Sequence, residues 1–199
     1  IPGLVDTHAH PTTEPIRKGI TDETVSPGFW HSSLYEHLPI FDPVDDQGRL
    51  ACLKVALAEL LLSGVTTLVD LSSPFEGWEE TLLDSGIRAF VAPCFRDARW
   101  FTTNGHSLEY DWNYEAGQRA FSTAREIVES AVRHPSGRLS AVVSPSQVDT
   151  CSEALLRDSH AFAQDHNLSW TIHAAQSVTE FQEMQHRHGM TSVQWLDSL

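Results

Sequence analysis

The sequence predicts an α/β protein, an incomplete (β/α)8 TIM-type barrel carrying about the first five βα units. Three observations lead there. Short apolar runs alternate with amphipathic stretches at regular intervals along all 199 residues. No phosphate-cradling glycine pattern, neither GxGxxG nor GxxxxGK followed by Ser or Thr, comes after any of those runs. Histidines close the first and fifth runs, and the carboxyl ends of the strands are where barrel enzymes place their chemistry. Parallel βα units have two closed solutions, a doubly wound sheet and a barrel. The missing glycine patterns leave a nucleotide-binding sheet unsupported, and five units fit part of a barrel that takes about 250 residues.

The first strand is Gly3 to His8, apolar and then polar. A stretch of nearly forty residues, Pro11 to Gly48, follows; it is rich in Pro, Thr, Ser and acidic groups and reads as a functional loop. Arg49 to Ser63 (RLACLKVALAELLLS) has helical periodicity and is closed by Gly64. Val65 to Asp70 is the second strand, β-branched and apolar. A helix over Trp78 to Ser85 stops at Gly86, and Ile87 to Pro93 is the third strand. The segment up to Tyr114 reads as a loop containing Trp100, Phe101, His106 and Trp112. Ala116 to His134 is the third helix, ended by Pro135 and Gly137, and Leu139 to Ser144 the fourth strand. Ser152 caps a helix running to His166, with an acidic first turn that suits the helix dipole. Leu168 to His173 is the fifth strand, and Ser177 to His188 a helix before Gly189. The chain opens without Met on a strand and stops in the helix-like WLDSL, so it reads as a slice of a longer protein.

Composition narrows the partners. The formal net charge is -14, from 27 acidic against 13 basic residues. Such a surface repels phosphate backbones and anionic lipid, which disfavours nucleic-acid and membrane partners. No apolar run reaches the ~18 residues a membrane helix needs, and the opening residues lack the basic region of a secretory signal. Cys52, Cys94 and Cys151 show no CxxC spacing and read as reduced core thiols, which together with the missing signal points to a cytoplasmic address.

The chemistry concentrates in histidine. His8 and His10 are two apart at the end of a strand, so both rings project to one face and can converge on one point. His173 ends the fifth strand on the same rim. Three imidazoles from strand ends suit one divalent cation, zinc first and iron second. The other eight of the eleven histidines fall mostly on helices or loops; His186 and His188 repeat the spacing on a helix, where i and i+2 diverge.

IPGLVDTHAH closely resembles the first-strand signature of the amidohydrolase superfamily. The resemblance continues in RKGITD (Arg17 to Asp22), AELLLSGVTTLVD (Ala58 to Asp70), GIRAFVAP (Gly86 to Pro93), IHAAQS (Ile172 to Ser177) and HGMTSVQWLDSL (His188 to Leu199). Together these are similar to the branch holding cytosine, guanine and adenosylhomocysteine deaminases and the triazine hydrolases. The resemblance implies a distorted barrel over residues 1–199, with the sixth to eighth strands and a small β-sandwich domain absent. It maps His8, His10 and His173 onto three metal ligands. A water on that metal, acidified towards neutral pKa, attacks an electron-poor carbon. The family's fourth ligand histidine ends strand six and its aspartate ends strand eight; both would lie beyond Leu199, so this stretch alone is expected to be inactive. Two-metal relatives bridge their ions with a carbamylated lysine on strand four. RLSAVVSP has no lysine, and the only two lysines, Lys18 and Lys54, belong to a loop and a helix, which favours one metal.

Two departures bear on the substrate. Deaminases of the branch carry HxxE after strand five, where the glutamate shuttles a proton; here the motif is His173-Ala174-Ala175-Gln176. Glutamine has no titratable proton, so Gln176 is left with orienting substrate by hydrogen bonds. Relatives often have a substrate-contacting histidine in a PHAPYTCS-like stretch, and here PSQVDTCS puts Ser146 there. These changes argue against a standard purine or pyrimidine deaminase and leave room for hydrolysis of C–N or C–halogen bonds. Trp30, with His31 beside it, is the candidate substrate contact in the long loop, and Trp100 and Phe101 are lesser ones. Asp6 is expected to anchor the strand end behind the ligands, Asp70 to act as a cap, and Arg96 is a weak candidate for a substrate carboxylate. The expected function is metal-dependent hydrolysis of a small, cyclic molecule. Cyclic-amide ring opening of the imidazolonepropionase or hydantoinase kind and a non-catalytic metal-binding scaffold are the alternatives. The family analogy suggests a homodimer.

Overall fold

The computed structural model describes residues 1–18, 43, 45–104 and 107–199. Trp30, His31, His106 and most of the RKGITD motif lie outside the described residues. Eight strands and seven α-helices are described. In chain order they are β1 (Leu4–Ala9), α1 (Glu14–Arg17), α2 (Asp46–Leu62), β2 (Val65–Asp70), α3 (Trp78–Ser85), β3 (Arg88–Val91) and β4 (Cys94–Phe95). Then come β5 (Ala98–Phe101), β6 (Glu109–Trp112), α4 (Tyr114–Arg133), β7 (Leu139–Pro145), a 3-10 turn (Val148–Thr150), α5 (Glu153–Asp165), β8 (Ser169–Trp170), α6 (Val178–His188) and α7 (Ser192–Ser198).

Strands β1, β2, β3, β7 and β8 pair in that order, every pair parallel, as the first five strands of a barrel do. Alternate residues of β7 separate two apolar layers. Ala141 and Val143 pack with α2, α3, α4 and α5 in the large core between sheet and helices. Val142 joins Leu71 and Ala92 in a small cluster on the other face. Period-two alternation in a strand covered on both sides produces this division.

The caps follow local chemistry. Ser152 accepts from the Leu155 amide and Ser177 from the Glu180 amide, starting α5 and α6. Gly86 and Gly189 end α3 and α6 in the left-handed region. Gly117 in α4 is required for another reason. A Cβ there would come 1.9 Å from Asp97 Oδ1, the buried carboxylate whose other oxygen accepts from the Ser152 amide at 2.7 Å.

The structure departs from the sequence reading in four places, the first being the stretch Pro11 to Gly48 read as a loop, which contains α1 and the start of α2. The third strand is split, because Pro93 has no N–H to donate, and resumes as β4 against the far end of β7. The segment before Tyr114 contains an antiparallel hairpin, β5 with β6, where a loop was expected; the alternation in ARWF and EYDW was its only signal. The fifth strand ends at Trp170, and His173 lies three residues further on, held by an isolated bridge to Gln147. All three cysteines are free, Cys52 and Cys151 buried.

Candidate metal centre

Three imidazoles meet above the carboxyl ends of β1 and β8. Nε2 of His8 and Nε2 of His10 are 3.1 Å apart, and Nε2 of His173 is 3.2 Å from the first and 3.3 Å from the second. The triangle is nearly equilateral, and a circle through its corners has a radius of about 1.85 Å. Zinc bonds to imidazole at about 2.0–2.1 Å, so three nitrogens this close together could all bind one ion. Among the described residues this is the one group of three or more His, Cys, Asp or Glu whose donor atoms converge in this way.

The rings are aimed by backbone carbonyls. His10 Nδ1 donates to the Leu71 carbonyl at 2.9 Å, and His173 Nδ1 donates to the Ser146 carbonyl at 2.6 Å. A proton held on Nδ1 leaves the Nε2 lone pair free for a cation, the usual way an outer hydrogen bond fixes the tautomer. Burial pushes the pKa of His10 down to about 4 against a backbone hydrogen bond that raises it, and the neighbouring His173 and His8 lower it further. Burial lowers His173 as well. Both are therefore neutral near pH 7, the form that binds a metal.

Each ligand has its own support. Asp6 Oδ1 accepts from the His8 amide at 3.0 Å, tightening the strand end. Glu14 accepts from the His10 amide at 3.1 Å. His173 is fixed by the turn after β7: its amide donates to the Ser146 carbonyl, and its own carbonyl accepts from the Val148 amide. Beyond it the chain turns through Ala175, whose φ of 59° is in the left-handed region. The fully buried Glu180 carboxylate holds that turn by accepting from the Ala175 amide at 2.6 Å, the Gln176 amide at 3.0 Å and the Ser192 hydroxyl.

The remaining sequence candidates divide. Ser146 is buried, its carbonyl serving His173 and its side chain lying beside the Cys94 thiol. Gln176 is exposed and lines a shallow surface hollow with Ser177, Val178 and Phe181. Asp70 is buried behind the rim, accepting from Ser72 at 2.5 Å and the Trp78 indole at 2.7 Å, which ties β2 to the start of α3. Arg96 is exposed, its guanidinium 5.8 Å from the centre of the Trp100 ring. The Trp100 indole donates to Asp149, so that ring is anchored in the fold. Glu180 and Asp149 were not singled out from the sequence; an acid in the first turn of a helix or in a turn carries no mark of burial.

The amidohydrolase family model matches residues 1–199, the whole chain. The chain belongs to the amidohydrolase family. As an amidohydrolase it is similar, at 25% identity over all of its residues, to a 5'-deoxyadenosine deaminase of Methanosphaera stadtmanae. It is equally similar to a 5-methylthioadenosine/S-adenosylhomocysteine deaminase of Desulfitobacterium hafniense, and it spans 43% and 42% of these two relatives. Among solved structures, the amidohydrolase fold is shared with a zinc-bound adenosine deaminase of Xanthomonas campestris, at a TM-score of 0.75 and 20% identity over 99% of this chain and 41% of that one. It is shared also with the zinc complex of atrazine chlorohydrolase from Arthrobacter aurescens TC1, at a TM-score of 0.65 and 17% identity over the whole of this chain and 46% of that one. The α/β half-barrel is thus the fold of these amidohydrolases, whose barrels extend beyond the matched part. No described helix is long and apolar enough to cross a membrane.

Proposed function

We propose that the whole protein is a one-metal hydrolase that breaks a C–N or C–halogen bond in a small cyclic molecule. Three Nε2 atoms mutually 3.1–3.3 Å apart carry this reading. His8, His10 and His173 would hold the ion, zinc ahead of iron because three neutral imidazoles match its preferences. When bound, the metal supplies Lewis acidity that brings a coordinated water towards a neutral pKa. A single ion fits, since β7 carries no lysine to bridge two.

The protein groups around the ion orient and hold. The Leu71 and Ser146 carbonyls keep the Nδ1 protons of two ligands in place throughout the reaction. Asp6 steadies the strand end beneath His8. Gln176 offers substrate an amide donor and acceptor but no titratable proton, so proton transfer falls to a group outside residues 1–199. Ser146 and Trp30 complete the proposed substrate contacts. The chain spans under half of its curated relatives. We therefore assign it to the first five βα units of a longer barrel and expect those residues alone to be inactive.

The test is metal content of the whole protein together with turnover of a panel of aminated and chlorinated heterocycles, 5'-deoxyadenosine included. One equivalent of zinc and hydrolysis of a panel member that is lost with chelator support the proposal. Zinc without turnover of any panel member favours a binding scaffold, the reading that Gln176 in place of the glutamate also favours. No metal overturns both.

A further inference from the structure

The centre of a second cluster is Asp149, in the 3-10 turn that follows β7. Its side chain is fully buried. Oδ2 accepts from the Trp100 indole of β5 at 2.8 Å and from the Tyr110 hydroxyl of β6 at 2.8 Å. Its backbone carbonyl accepts from Arg187 Nη1 of α6 at 2.8 Å. The same guanidinium lies 4.3 Å from the centre of the Tyr110 ring and 4.8 Å from that of Trp112, a cation–π contact with both. One residue therefore joins the hairpin, the turn and α6.

That turn seats a metal ligand. Ser146 accepts from both the amide and the ring of His173, and Val148, next to Asp149, donates back to the His173 carbonyl. Movement of residues 146–148 would carry the His173 ring with it, because no regular strand holds the ring there.

We infer that Asp149 is a positioning residue for the metal centre, tying the β5–β6 hairpin to the turn that holds His173 at bonding distance from His8 and His10. The inference rests on the reading that the three histidines bind a metal. An acceptor oxygen is needed because the Trp100 indole and the Tyr110 phenol both donate to Oδ2, and burial makes its loss costly by leaving both donors without a partner. The consequence is that substitutions here act on metal affinity and ligand geometry, although Asp149 touches neither metal nor substrate.

The experiment measures zinc affinity by chelator competition, and the visible spectrum of the cobalt(II) form, in the whole protein and its Asp149→Ala, Tyr110→Phe and Leu82→Ala variants. Circular dichroism of each metal-free variant checks folding. Leu82 is buried under α3, away from the hairpin, and reports the effect of lost stability alone. Asp149→Ala, which removes the acceptor for both donors, is expected to weaken zinc binding about tenfold, the lower end for a group supporting a ligand, and to alter the cobalt spectrum. Tyr110→Phe acts in the same direction by a smaller factor and decides the matter should Asp149→Ala not fold. Leu82→Ala lowers the melting temperature and leaves zinc affinity unchanged. Unchanged affinity in the folded hairpin variants, or an equal loss in Leu82→Ala, overturns the inference. An unsubstituted protein that binds no zinc through its histidines overturns the metal reading instead, a separate result.

Discussion

The two sources of metal ligands are built in opposite ways. His8 and His10 come from one strand, and their convergence costs nothing beyond β geometry: residues i and i+2 share a face. Their support is local, from Asp6, Glu14 and the carbonyl of the neighbouring strand's end. His173 arrives 163 residues after His10 and has no strand of its own. It is held from before by residues 146–148 and from behind by a turn clamped on Glu180. A ligand pair within one strand needs little more than the strand. A ligand brought from afar needs a scaffold of buried polar groups, and the sequence shows that scaffold far less clearly.

The comparison breaks first at the ligands. Replacing His8, His10 or His173 singly with Ala should lower zinc affinity more than about a hundredfold, beyond the ten- to hundredfold typical of outer partners; chelator competition measures it. Equal losses at all three mean that the near and far ligands are equivalent once placed. Next come the supports. Glu180→Ala strands a buried hydroxyl and releases a left-handed turn, and should destabilise the metal-free protein by about 3 kcal/mol in urea unfolding. Asp6→Ala, which removes one strand-end hydrogen bond, should cost only about 0.5–1 kcal/mol. A reversed order would sink the claim that the far ligand carries the heavier scaffold.

A pH titration sharpens the same contrast. His10 binds a proton in the unfolded chain near its ordinary pKa of 6.5 but in the folded state only near 4. Its contribution to stability is therefore complete above pH 6.5 and is lost as pH falls towards 4 in the metal-free protein. Asp70 has the opposite sign: burial raises its pKa to about 7, so its contribution is present below the ordinary carboxylate range and is lost as pH rises through 7. The difference in denaturant midpoint between the unsubstituted protein and His10→Gln should shrink as pH falls from 6.5 to 4, whatever slope Asp70 contributes to both. The smallest effect is expected at Ala175. Glycine accepts a φ of 59° without strain, so Ala175→Gly should be neutral or stabilising by up to about 1 kcal/mol despite its greater chain entropy.

These contrasts also explain what could be read in advance. The parallel order of the strands, the helix ends at Gly86 and Gly189, and the ligand pair all rest on short-range periodicity or on residues with one strong preference. His173 was legible as a ligand, yet its local setting was not: the bridge to Gln147 and the acceptors at Leu71 and Ser146 are backbone groups that any side chain could carry. The hairpin was missed because its strands are only four residues long, too short for their alternation to stand out. Asp149 and Glu180 were invisible because burial of an acid depends on donors that arrive from other elements.

Zinc K-edge X-ray absorption of the whole protein, compared with its His173→Ala variant, tests the central claim most directly. The account predicts imidazole nitrogens at about 2.0 Å in the unsubstituted protein and one fewer in the variant. An imidazole count that stays the same when His173 is removed would contradict it.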